Sequence, residues 1–127
     1  MELLAPCSAG EIFDKITILR IKKKKIKDSN KLKNVENELE LLENLVADIT
    51  CNSDVRNSIN TLQKVNEELW VIEDDLRGLE KSKDFGNKFI DLARCVYITN
   101  DKRSAIKKRI NILLGSSIIE EKSYDYL

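Results

Sequence analysis

Asn66, Trp70, Glu73 and Arg77 recur at spacings of four, three and four residues, which on a helix stacks an amide, an indole, a carboxylate and a guanidinium along one face. A second such face runs Ala93, Tyr97, Asn100, Ser104, Lys107 and Asn111, with Arg94 and Asp101 beside it. If the two faces meet, they form a semi-buried polar cluster instead of a smooth leucine seam. One reading makes it a pocket between bundle helices for a small anionic ligand, with Arg77, Arg94 and Lys107 as charges and Trp70 and Tyr97 as walls. The other makes it a salt-bridge and hydrogen-bond network that fixes helix register or a dimer interface, since buried polar groups must be paired with or without a ligand.

Carboxylates also raise a magnesium alternative. Helical nucleotide pyrophosphohydrolases collect acids three residues apart on facing helices, and Glu11 with Asp14 and Glu40 with Glu43 have that spacing. The order of the two pairs is opposite to that pattern, and Glu73-Asp74-Asp75 sets acids side by side instead of stacking them. Such pairs occur on any solvated helix.

Composition removes several other chemistries. Histidine is absent, which excludes Ser-His and Cys-His nucleophiles, His-ligated zinc and a histidine general base. The cysteines Cys7, Cys51 and Cys95 are odd in number and far apart, with no Cys-x-x-Cys pair, so neither a disulfide framework nor a four-thiolate zinc site is encoded. No cofactor is implied. The 22 basic residues balance 22 acidic ones, so no global positive field points to nucleic acid. The start, Met1 to Pro6, lacks a basic signal-peptide region, and no apolar run approaches the roughly 20 residues of a membrane span. The expectation is a cytoplasmic protein away from membranes.

The elements that must carry these faces are helices. Four glycines and one proline in 127 residues are too few turn signals for a β-sandwich, and the length suits a single domain spanning residues 1–127. Ser8-Ala9-Gly10-Glu11 reads as a reciprocal capping box opening a first helix with Ile12, Ile16, Leu19 and Ile26 inward. After a break at Asp28-Ser29-Asn30, Leu32, Val35, Leu39, Leu42, Val46 and Ile49 mark a second. A third begins at Asn52 or Ser53 and buries Val55, Ile59, Leu62, Val65, Leu69, Ile72, Leu76 and Leu79. The fourth is expected to be capped by Asp84, with a stripe interrupted by a polar gap at Asn100 and Arg103 and a stop at Gly115. Residues 116–127 read as a tail in which Ser117 and Glu120 signal a short further helical turn before Tyr124 and Tyr126.

The third and fourth helices would each span about 40–45 Å, longer than the roughly 36 Å diameter of a compact chain of this size. Covering the protruding hairpin with a second copy predicts a homodimer. Nine basic residues between Lys15 and Lys33 contrast with an acidic second helix carrying Glu36, Glu38, Glu40, Glu43 and Asp48; intramolecular complementarity and a solvated helix end are one account, and a patch for RNA, DNA or anionic lipid is the alternative.

Four strings, GEIFDKITIL (Gly10 to Leu19), LWVIEDDLRGLE (Leu69 to Glu80), DFGNKFIDLARCVYITNDKRSAIKKRIN (Asp84 to Asn111) and the tail LGSSIIEEKSYDYL, resemble the recurrent motifs of a family of small all-helical bacterial proteins of unknown function. The resemblance spans nearly the whole chain and implies no activity or cofactor. It draws attention to polar positions within or near those strings: Glu11, Asp14, Lys15, Asn66, Trp70, Glu73, Asp74 and Arg77 in the first half, Arg94, Tyr97, Asn100, Asp101, Arg103, Lys107, Asn111 and Lys122 in the second. The sequence therefore predicts an all-α protein of four helices, a long antiparallel hairpin packed by two shorter helices, acting as a non-enzymatic binding or assembly module. A ligand-binding or enzymatic pocket between the third and fourth helices is the alternative.

Overall fold

A computed structural model describes residues 1–123 and contains four helices and, among those residues, no strand: α1 Ala9–Lys25, α2 Ser29–Val46, α3 Ser53–Lys81 and α4 Asn87–Leu113. Side-chain oxygens open the first three. Ser8 accepts from the Glu11 amide at 3.2 Å, Asp28 from that of Lys31 at 2.9 Å and Asn52 from that of Val55 at 2.9 Å. Each satisfies a helix-end N–H that has no intrahelical partner. Four lysines fill the last turn of α1, where the helix dipole favours cations.

The α3 to α4 connection departs from the expectation that Asp84 caps α4. Lys83 takes a left-handed φ of 58°, and the Asp84 carboxylate accepts instead from the Gly86 amide at 3.1 Å within the turn. Reversing the chain uses these residues, so α4 begins at Asn87 without a side-chain cap. At its other end Gly115 has φ 65°, and the amides of Gly115 and Ser116 return to the carbonyls of Ile112 and Asn111, a paired closure that needs the left-handed residue.

Helices α3 and α4 form the antiparallel hairpin, α1 lies against both, and α2 makes its close backbone approach to α1 alone. The core joins Phe13, Ile16 and Leu19 of α1 to Val35 and Leu39 of α2, Leu62 of α3 and Ile110 of α4. Leu62 and Ile110 are completely buried, each worth about 2 kcal/mol of transfer free energy. The sequence stripe for α1 is too narrow: Phe13 and Ile21 are buried, whereas Ile12 and Ile26 are half-buried. Because α1 is sandwiched between α2 and the hairpin, its buried arc is wider than the single face that a three-four periodicity locates.

The helical turn expected from Ser117 and Glu120 does not form; residues 116–123 are non-helical. Glu120 is drawn elsewhere, accepting from the Ser8 hydroxyl and, at 3.2 Å, from the Asn111 amide. The expected reciprocal half of the first capping box is also absent, because the Glu11 carboxylate turns to Lys107. Tyr124 and Tyr126 lie outside the described residues.

Candidate functional site

Asp14 sits at the junction of α1, α3 and α4 with its side chain 2% exposed. Its nearest donors come from the two other helices. Arg103 of α4 reaches it with both arms of the guanidinium, Nε to Oδ1 at 2.9 Å and Nη2 to Oδ2 at 2.5 Å. Asn66 of α3 donates to Oδ1 at 2.9 Å and, at 2.8 Å, to the hydroxyl of Thr17, which itself donates to the Asp14 carbonyl. Lys107, one turn along α4 from Arg103, donates to Glu11 at 2.7 Å and stands 3.6 Å from Asp14. Burial pushes the Asp14 carboxyl up, but the hydrogen bonds from Arg103 and Asn66, with the charges of Arg103 and Lys107, outweigh it and hold the carboxyl below the ordinary aspartate range. Arg103 is raised in return, first by its hydrogen bond to Asp14.

Directly outside this network α4 borders a recess of about 750 Å³. Its lining is Val96, Tyr97, Asn100, Asp101, Arg103, Ser104 and Lys107 from α4, closed on one side by Lys122 of the C-terminal segment. Lys122 stands 3.4 Å from Asp101. The segment is anchored there by the Glu120 contacts and by Lys108, which pairs with Glu121 at 2.8 Å. Arg103 and Lys107 thus have two sides, one turned to the carboxylates of Asp14 and Glu11 and one to the recess.

Of the candidate residues, Tyr97, Asn100, Asp101 and Lys107 meet at the recess. Asn66 is buried in the network behind it. Trp70, half-buried on α3, and the exposed Glu73 and Arg77 are not part of the lining. Arg94 is exposed beside Tyr97, whose hydrogen bond is the first cause raising its guanidinium above the usual value. The site is therefore carried by α4 and the tail, with α3 contributing from behind. Asp14, Arg103 and Lys122 complete it. Their signals were the acid pair on α1, the polar gap in the α4 stripe and the resemblance of the tail; none of these says which partner each residue meets.

The model of the family described as "Family of unknown function (DUF6165)" matches residues 4–126, taking in all four helices and every residue of the recess. The chain belongs to this family. No curated protein and no solved structure matches it. Family membership brings no chemistry, so the geometry must supply it.

Among the described residues no group of three or more carboxylates or thiolates is placed to hold a metal ion. Of the two acid pairs offered for magnesium, Glu11 and Asp14 are ion-paired to Lys107 and Arg103. What remains is a recess of mixed apolar and polar lining over a floor of paired side chains. That arrangement suits recognition, because polar groups locked from behind lose little freedom when a guest arrives.

Proposed function

We propose that this family member is a helical binding module whose working surface is the α4 recess, where it holds a small ligand without transforming it. The observation that carries this reading is the double role of Arg103 and Lys107: the buried Asp14 and the half-buried Glu11 orient them from one side, and the recess opens on the other. The volume of about 750 Å³ falls in the range of small-molecule sites, and polar groups set along an apolar wall of Val96 and Tyr97 fit their usual composition. A thermal-shift screen of the full chain against metabolites tests it. A selective upward shift, abolished by Lys107→Ala in a variant of unchanged helicity, is expected through linkage. Silence across anionic, neutral and cationic panels would defeat the reading.

A second reading, assembly, rests on a different surface. Leu41 and Leu45 stand one turn apart as a short apolar stripe on α2, 53% and 64% exposed, and Ile49, 39% exposed, follows just beyond the helix end. This stripe stands on the one helix that approaches only α1, and a homodimer would be one way to cover it. Light scattering of the wild type and Leu45→Glu tests that reading: loss of a dimer in the variant supports it, and a wild-type monomer removes it.

A further inference from the structure

We propose that the recess selects a phosphoryl group borne on a small apolar or ring-containing body; the inference rests on the binding-module reading and specifies its ligand. Asn100, Arg103, Ser104 and Lys107 occupy the i, i+3, i+4 and i+7 positions of α4, so they form one continuous patch. The patch is rich in unfilled donors. Among the described residues, the Ser104 hydroxyl and the Asn100 amide nitrogen make no hydrogen bond, the Asn100 oxygen being taken by Arg103 at 3.4 Å. The guanidinium of Arg103 carries more N–H groups than Asp14 and Asn100 use, and the ammonium of Lys107 has an N–H beyond those directed at Glu11 and Asp14. A guest supplying acceptors on several sides matches that inventory.

Two further features separate phosphoryl from carboxylate. One edge of the Arg103 guanidinium, Nε with Nη2, is already closed on Asp14, which leaves a guest its outer Nη1 and Nη2 groups. The donors left to a guest therefore come from four separate side chains, Asn100, Arg103, Ser104 and Lys107, a spread that suits the oxygens of a tetrahedral group. The network carboxylates are also set back, Asp14 being buried and Glu11 lying on α1 outside the lining; Asp101 does line the recess, 3.4 Å from Lys122, so among the described residues the lining sets the three cations Arg103, Lys107 and Lys122 against one acid, a balance that suits a doubly charged guest. Val96 and Tyr97, one turn before Asn100 on α4, offer the organic part of the ligand an apolar wall.

The test uses the full chain, amide NMR, and four probes: inorganic phosphate, phenyl phosphate, benzoate and phenol. Phenyl phosphate is expected to move the Asn100 side-chain amide and the Ser104 backbone amide in a saturable way. It should bind about tenfold more tightly than inorganic phosphate or benzoate, while phenol leaves these signals in place. Ser104→Ala, which removes a hydroxyl with no partner among the described residues, should weaken phenyl phosphate about tenfold without changing the melting temperature. Asn100→Asp keeps an oxygen for Arg103 but adds negative charge, and should abolish phosphate binding. Benzoate or phenol binding at these residues as tightly as phenyl phosphate would overturn the phosphoryl class and leave the recess reading standing. Phosphate effects confined to the lysines at the end of α1 would overturn it likewise. No response at these residues to any probe would remove the proposal, and a silent metabolite screen would then remove the binding module with it.

Discussion

Removing the guanidinium of Arg103 would leave the Asp14 carboxylate in the interior with Asn66 and a longer approach from Lys107. A buried charge stripped of its principal partner costs about 3 kcal/mol or more, so Arg103→Met is expected to lower stability by that order in urea unfolding. Adding Asp14→Asn should recover part of the loss by removing the unpaired charge, a coupling that a double-mutant cycle reads directly. Proton linkage gives a second measurement on the same group. The Asp14 carboxyl titrates lower folded than unfolded, so its stabilisation is complete above the unfolded aspartate range and is lost as pH falls through the lowered folded value. The wild type should therefore lose stability more steeply than Asp14→Asn as pH falls from about 4 downward.

At the scale of elements, α1 and α4 come close together at Gly10. A Cβ there would collide with the Lys107 carbonyl and lie 2.9 Å from the Asn111 side-chain oxygen, which accepts from the Gly10 amide at 2.6 Å. Helix propensity alone would make Gly10→Ala favourable by about 1 kcal/mol. The collision with rigid backbone opposes this, and a net destabilisation of about 1–3 kcal/mol is expected in thermal or chemical unfolding. The same contact shows where sequence reasoning stops. Periodicity located all four helices and the polar face at Tyr97, Asn100 and Lys107, because those regularities are local. It placed Trp70, Glu73 and Arg77 with that face because two polar stripes on neighbouring helices need not turn toward each other, and their rotation is set by packing. Glu11 likewise carries a capping signature, yet its partner Lys107 lies on another helix and outcompetes the local bond. Glu120 follows the same logic, passing over a local cap for Ser8 and Asn111.

For the whole molecule, the hairpin is its longest part, α3 spanning about 43 Å along its 29 residues, with α1 and then α2 layered on one side. The C-terminal segment holds this arrangement through Glu120 and Glu121 and walls the recess through Lys122. Truncation after Gly115 is expected to speed hydrogen exchange at the Gly10 amide and its neighbours far more than in the middle of α3, since local opening follows local anchoring. Equal acceleration throughout would show that the segment supports the fold globally.

The hydroxyl that starts the first helix is bonded to a carboxylate 112 residues later. During synthesis α1 leaves the ribosome early, while the Asp14 partners on α3 and α4, the Gly10 acceptor on α4 and finally Glu120 emerge in that order. A nascent chain can form α1 at once but cannot complete its contacts until residue 120 has been added. Full seating of α1 therefore waits on α4 and the segment after it, and a ribosome stalled within α4 would display α1 resting on α2 and α3 with Phe13, Ile16 and Leu19 incompletely covered and open to chaperones.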